Sequence, residues 1–165
     1  MDIQTELIQE FDIETAKTRK MLEAIPEDAD WNFAPHAKSM KLGKLADHVS
    51  QIPGDWALHT LIKDRLDWDP SMNPPPAPNK AEVLARFDKQ VPVARAALVE
   101  LTPEKWDRTW EFGANGQTWI SNTKFRIWRE MVMSHLVHHR AQLSVYLRML
   151  DAKIPGMFGP SADEM

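Results

Sequence analysis

Two histidines, His135 and His139, stand four residues apart in the run Met133-Ser134-His135-Leu136-Val137-His138-His139-Arg140. In a helix this spacing puts both rings on one face, a turn apart. Neutral imidazole is the side chain most used to hold a transition metal, and two rings so placed can reach one ion. A third candidate, His48, lies in a separate helical stretch, Lys44-Leu45-Ala46-Asp47-His48-Val49. Three imidazoles from two helices would leave a four-coordinate ion an open position, which is how catalytic zinc sites differ from closed structural ones.

The surrounding residues narrow the chemistry. His135 is followed by Leu136, not by the Glu that acts as base in the His-Glu-x-x-His metalloproteases. Asp47 adjoins His48 but projects about 100° away on the helix, and Glu130 falls on the turn before His135. Each reads as a solvated or supporting residue, so catalysis would lean on the ion as a Lewis acid and no separate catalytic side chain can be named. A plainer reading competes. The chain has six histidines, so one His-x-x-x-His pair carries little weight, and isolated helix histidines such as His36, His59 and His138 usually sit at a surface or satisfied in a core. His138 lies three residues from His135, so spacing alone does not set it aside. Inward-facing imidazoles without carboxylates nearby would each need a hydrogen-bond partner, and one ion meets that need jointly. From the residues alone, a metal centre and a histidine-lined core or ligand pocket both stay open.

Helices must position these rings. Ile3, Leu7, Phe11, Thr18, Met21, Leu22 and Ile25 recur at helical spacing, giving a first helix over about 2–24. Ser39 is a candidate cap for a second helix from near Met40 that carries Leu42, Leu45, His48 and Val49 inward. Pro53-Gly54 predicts a kink or short break before the pattern resumes through Ile62. From Asp69 to Asn79 the proline density excludes helix. An extended chain of this kind advances about 3.1 Å per residue and can cover roughly 30 Å, the length of a helix of about 20 residues. It can run the length of a bundle, leaving the helices on either side of it parallel. A third helix is expected over 80–100, bent at Pro92, and a turn or small hairpin-like loop at Gly113-Ala114-Asn115-Gly116. A long fourth helix is expected over 122–152, with Trp128, Met131, His135, His139, Gln142 and Tyr146 on one stripe. The result is an all-α fold: a four-helix bundle with a long crossover between helices 2 and 3, one domain over residues 1–165.

Composition removes several functions. With no cysteine, disulfides, zinc ribbons and thiol nucleophiles are out, and any tight metal site uses His, Asp, Glu or water. A net charge of -4 without a basic block argues against nucleic acid as partner. No apolar run is long enough for a bilayer, and the first residues lack the pattern of a signal peptide, so a soluble cytoplasmic protein is expected. Seven tryptophans against one tyrosine read as bulky core and pocket walls, with an aromatic-ligand platform as the lesser alternative.

Three segments together resemble the DinB-like (damage-inducible) family of helical-bundle proteins: Leu45-Ala46-Asp47-His48, then His135-x-x-x-His139-Arg140-Ala141-Gln142-Leu143-Ser144-Val145-Tyr146-Leu147-Arg148, then Ile154-Pro155-Gly156-Met157-Phe158-Gly159-Pro160-Ser161-Ala162-Asp163-Glu164. Ala141 stands where the family usually has Gly, and Phe158 where it has Tyr. The resemblance spans nearly the whole chain. It implies a crossover four-helix bundle, a divalent metal (zinc or nickel) held at His48, His135 and His139, and a homodimer. Relatives in the wider superfamily include S-transferases for the low-molecular-weight thiols bacillithiol and mycothiol and a maleylpyruvate isomerase; others are described as metal-dependent hydrolases of unknown substrate.

Two classes of function follow. In the first the protein is a metal-dependent enzyme, a hydrolase or low-molecular-weight-thiol S-transferase, acting on a small-molecule substrate between the helices, with Trp128 and Gln142 shaping the site. In the second it is a non-catalytic, stress-related metal-binding bundle; three ligands rather than four count against that reading. The Phe158-Gly159-Pro160-Ser161 tail is expected beside the metal cavity.

Overall fold

The computed structural model describes residues 2–72 and 75–165. Helix α1 (Ile3–Glu23) starts where the Asp2 carboxylate accepts hydrogen bonds from the amides of Gln4 and Thr5. It buries Leu7, Phe11, Thr18, Met21 and Leu22, the stripe that its sequence spacing predicts. Helix α2 (Leu42–Gln51) begins without a side-chain cap. Ser39 does not serve as one, because backbone takes its place: Leu42 N–H donates to Phe33 O at 2.8 Å and Gly43 N–H to Trp31 O at 3.0 Å. Pro53-Gly54 does not break the path either. Residues Ile52–Trp56 form a π-helical turn that leads straight into α3 (Ala57–Ile62).

Helix α4 (Lys80–Val99) is capped by Asn79, whose Oδ1 accepts from Glu82 N at 2.9 Å, and it continues through Pro92 on its exposed face. After the short α5 (Pro103–Trp106), the last helical path starts at Lys124, two residues of strand later than the sequence suggests. It runs as α6 (Lys124–Ile127), a π-helical segment (Trp128–Ser134) and α7 (His135–Met149). Within the crossover, Pro70–Met72 form a single 3-10 turn, so the stretch is not wholly extended; Asn73 and Pro74 of that expected linker lie outside the described residues.

Directions follow from paired residues. Along α1, Gln4, Asp12 and Arg19 meet Leu98, Arg95 and Asp88 in turn, so α1 and α4 are antiparallel. Glu10 meets Arg129, and Glu14 meets Arg140, so α1 runs parallel to the final helical path. His48 meets His135, while Met40 O accepts from Tyr146 Oη at 2.9 Å, so α2 and α7 are antiparallel. Asp47 pairs with Arg86 and Gly54 abuts Gln90, so α2 and α4 are parallel. Two helices adjacent in the bundle's order thus run the same way, joined by the crossover that the proline-rich stretch implies.

The crossover is tied down at both sides. Trp31 Nε1 donates to Ala77 O at 2.9 Å, and Arg86 reaches both Asp47 Oδ1 at 2.7 Å and Pro75 O.

Beside the bundle stands a three-stranded sheet of order β1-β2-β3, an addition to the expected helices. Strands β2 (Thr109–Ala114) and β3 (Gln117–Thr123) form an antiparallel hairpin, while β1 (Arg65–Asp67) pairs parallel to β2. The hairpin turns at Asn115 (φ 51°) and Gly116 (φ 76°), the two positive φ values that a tight hairpin turn needs, and it is the turn that the sequence marks. Leu66, Trp110 and Ile127 make a small second core that seats the sheet against Trp56 and Met131. Among the described residues no helix is long and apolar enough to cross a membrane.

Candidate metal centre

His48 comes from α2; His135 and His139 come from the first turns of α7. Their ligand nitrogens all lie within 4.8 Å of one another, and they form the one His/Asp/Glu group among the described residues with such convergence. Ring centroids are 4.6 to 5.0 Å apart across the three pairs. His48 Nε2 and His135 Nε2 are separated by 3.2 Å. Zinc–imidazole bonds of about 2.0–2.1 Å in a tetrahedral site place ligand nitrogens roughly 3.3–3.4 Å apart.

Supporting hydrogen bonds set the tautomers. His135 Nδ1 lies 3.2 Å from Met131 O, an acceptor only, so the proton sits on Nδ1. His139 Nδ1 lies 2.7 Å from Gln142 Oε1. Both Nε2 lone pairs are therefore left free, the pattern in which a metal-binding histidine donates its other N–H to a carbonyl. Burial holds the His48 imidazole down to about 4, with the neighbouring His139 and His135 adding to it. Burial also lowers His135 and His139, against the opposing hydrogen bonds to Met131 and Gln142. All three rings are neutral at pH 7, the state that binds metal. The donor set fits a divalent ion with three nitrogen ligands.

The π-helical segments bracket this cluster, one just after His48 and one just before His135. They also explain a displaced residue. Counted at 3.6 residues per turn, Trp128 shares a stripe with His135; the wider turns of Trp128–Ser134 rotate it away. Trp128 is fully buried against Phe11 and Trp106, in the core and not in the site. Gln142 is at the site, though as the partner of His139 and not as a wall.

A cavity of about 490 Å³ opens beside His48 and His135. One side is a run along α2, the π turn and α3, from Gln51 and Ile52 through Asp55 and Trp56 to His59; the sheet and the π segment contribute Leu66, Phe112 and Met131. None of the α2–α3 residues after His48 was evident as site-forming in the sequence. Their i, i+3, i+4, i+7 spacing from His48 is the signal, and reading Pro53-Gly54 as a break conceals it. His59 is a cavity residue, half-buried, with its Nδ1 unpartnered among the described residues.

Other candidates fall away from the centre. His138 is exposed and lines a separate recess with Glu10, Glu14 and Arg129. His36 is exposed in the loop before α2, where its Nδ1 accepts from Lys38 N–H. Glu130 is exposed, as the sequence suggests. Asp47 is instead buried: its carboxylate accepts from Arg86 and from Gln51 Nε2 at 2.7 Å each. Burial raises its pKa, with the Ala77 amide and Arg86 opposing, and its role is to fasten the crossover. The tail does not reach the cavity. Phe158 is exposed beneath Lys17 of α1, and the tail is folded by Asp163 on Arg148 and Ile154 N and by Glu164 on Gly156 N and Ser161 N.

The family model described as the DinB superfamily matches residues 10–143. Three solved structures share the fold. A DinB-like protein of Bacillus subtilis has 19% identity and a TM-score of 0.68, covering 97% of this chain and 99% of its own. One from Bacillus cereus has 21% identity and a TM-score of 0.67, with 91% and 94% covered. One from Exiguobacterium sibiricum, described as a putative member of the DinB family, has 18% identity and a TM-score of 0.68, with 100% and 99% covered. No curated protein matches the sequence.

Proposed function

The chain belongs to the DinB superfamily, and from that premise we propose that it is a divalent-metal-dependent enzyme, of the hydrolase or thiol S-transferase type, acting on a small molecule. The observation that carries this reading is the junction of three convergent imidazoles with a cavity of about 490 Å³. A site that only braced the bundle would be closed by a fourth protein ligand and would have no reason to border a void. Zinc or nickel is the ion of this reading; imidazole suits both, as it does copper and iron.

His48, His135 and His139 would hold the ion through neutral nitrogens. When bound, the ion supplies Lewis acidity, polarising a substrate group or lowering the pKa of a nucleophile. The chain's own residues do the rest. Met131 O and Gln142 Oε1 hold the protons on His135 and His139 Nδ1, which keeps Nε2 directed at the shared point. Ile52, Trp56, Leu66 and Phe112 give the adjoining space a largely apolar lining that displaces water from a bound substrate and strengthens polar interactions inside. Asp55 is the one carboxylate that borders the cavity among the described residues, and the scheme assigns it no proton-transfer step.

Elemental analysis of untagged protein tests the reading, alongside His48→Ala, His135→Ala and His139→Ala. About one metal per chain, lost in each variant, is expected, together with turnover that chelation abolishes and metal restores. Wild type that takes up no zinc or nickel, or a His139→Ala protein with full metal content and activity, would overturn it.

A further inference from the structure

His48, Gln51, Ile52, Asp55, Trp56 and His59 border the cavity and follow one another at i, i+3, i+4, i+7, i+8 and i+11, a continuous helical stripe. One end of it, His48, belongs to the three-histidine cluster. Asp55 stands seven residues further along, about 10 Å up the axis at 1.5 Å per residue. Across the space stand Trp68 and Phe112. Phe112 meets Trp56 edge-to-face, with centroids 5.4 Å apart and planes at 79°, so two aromatic walls form a corner. A volume of about 490 Å³ suits one small organic molecule.

The lining is selective in charge. Asp55 is its one formally charged side chain among the described residues, and no lysine or arginine borders the cavity. Asp55 is exposed and pairs with no lysine or arginine among the described residues. Indole and phenyl faces carry negative potential and attract cations, more so where water is thinned. Carboxylate and rings act in the same sense. A thiol cofactor bearing carboxylates would find a like charge at Asp55 and, away from the histidine end, no counter-charge.

We propose that the cavity takes an elongated organic amine. Its protonated nitrogen pairs with Asp55 against the faces of Trp56, Trp68 or Phe112, its aryl or alkyl body fills the apolar middle, and a neutral polar group occupies the end beside His48 and His135. Only that last end rests on the metal-dependent function proposed above. The amine site stands on the cavity alone, and it favours a hydrolytic reaction over transfer from an anionic thiol.

Three probes with one body separate the contributions: 3-phenylpropylamine, 3-phenylpropan-1-ol and 3-phenylpropanoate. Each is titrated into the full-length protein labelled with 5-fluorotryptophan, as isolated and after chelation, and followed by fluorine NMR with Trp56, Trp68 and Trp128 assigned by Trp→Phe replacement. The amine is expected to shift the Trp56 and Trp68 resonances and leave Trp128 in place. It binds at least threefold tighter than the alcohol in both preparations, and at least tenfold tighter than the carboxylate in the chelated one. Asp55→Asn removes the amine's advantage over the alcohol and leaves the alcohol's own affinity intact. The proposal is overturned if the carboxylate matches the amine in chelated protein, if Asp55→Asn preserves the amine's advantage, or if no probe moves Trp56 or Trp68 at millimolar concentration. Because the decisive comparisons use chelated protein, they fail or succeed independently of metal content.

Discussion

Gln142 offers a way to weaken the proposed metal centre without touching a ligand. Its Oε1 lies 2.7 Å from His139 Nδ1, and Gln142 itself is exposed. Gln142→Ala removes the acceptor that fixes the ring's tautomer and orientation, and outer partners of this kind are worth about 10–100-fold in metal affinity. Water can take the place of the lost carbonyl at an exposed position, so the low end applies: about tenfold, or about 1.4 kcal/mol. Gln142→Glu works in the opposite direction, because a charged acceptor makes a hydrogen bond roughly twice as strong and raises the basicity of Nε2. Competition against a chromophoric chelator at fixed pH reads both changes as zinc affinities. At saturating zinc the Ala variant should also unfold about 3–5 °C lower than wild type, while the metal-free proteins unfold together. Equal zinc affinity in wild type and both variants would refute the claim that Gln142 orients His139 as a ligand.

Three further outcomes concern the scaffold. Burial alone would raise the Glu14 carboxyl, but hydrogen bonds from Lys17 and Arg140 outweigh it and hold its pKa below the usual 4.5. That stabilisation is present above pH 4.5 and is lost as pH falls through the lower folded-state value. Glu14→Gln should therefore flatten the acid limb of a stability-against-pH curve, and an unchanged limb would contradict the assignment. Arg140, buried with Glu14 Oε2 at 2.5 Å, should cost about 3 kcal/mol as Arg140→Ala in urea unfolding. Replacing both partners, Arg140→Met with Glu14→Leu, should recover most of that loss. A Cβ at Gly43 would fall inside the Trp31 indole, so Gly43→Ala should destabilise by about 1–3 kcal/mol and perturb Trp31 fluorescence. An unaltered melting temperature would show that the indole yields freely.

Much of this architecture can be read from residues whose spacing has one physical meaning. Leu7, Phe11, Thr18 and Leu22 can share a face only in a helix. The prolines of 69–79 force a crossing and not a turn, and parallel α2 and α4 follow from it. The histidine triplet is legible for the same reason, because imidazoles from two inward stripes have to meet across the bundle. What escaped depends on tertiary context. Strand β1 is three residues long and exists because β2 offers it an edge. The α2 cap is backbone from a loop nine to twelve residues earlier, which no local pattern encodes. The cavity stripe beyond His48 crosses Pro53-Gly54, where local propensity reads as interruption and the chain instead forms a π turn that abuts α4 at Gln90. Trp128 was displaced by a second π segment, invisible to any count that assumes a fixed period.

Those two π segments carry an implication for how such a site can change over generations. Each hydrogen bond there spans one residue more than in the α-helix, so a π turn amounts to an inserted residue that the helix has absorbed. It works as a phase shifter, letting the stretch on one side keep its angular register with the core while the other side is turned to a different bearing. The core phase of α6 is thereby set apart from the phase of α7, which carries the histidines and the buried Leu136, Leu143 and Leu147 together. A single-residue deletion in 128–134 would restore one continuous phase, and His135 and His139 would swing away from His48 together with Leu136, Arg140, Leu143 and Leu147 of the core. The site is therefore tied to the fold that carries it: α7 cannot turn its histidines away without unseating the core residues beside them.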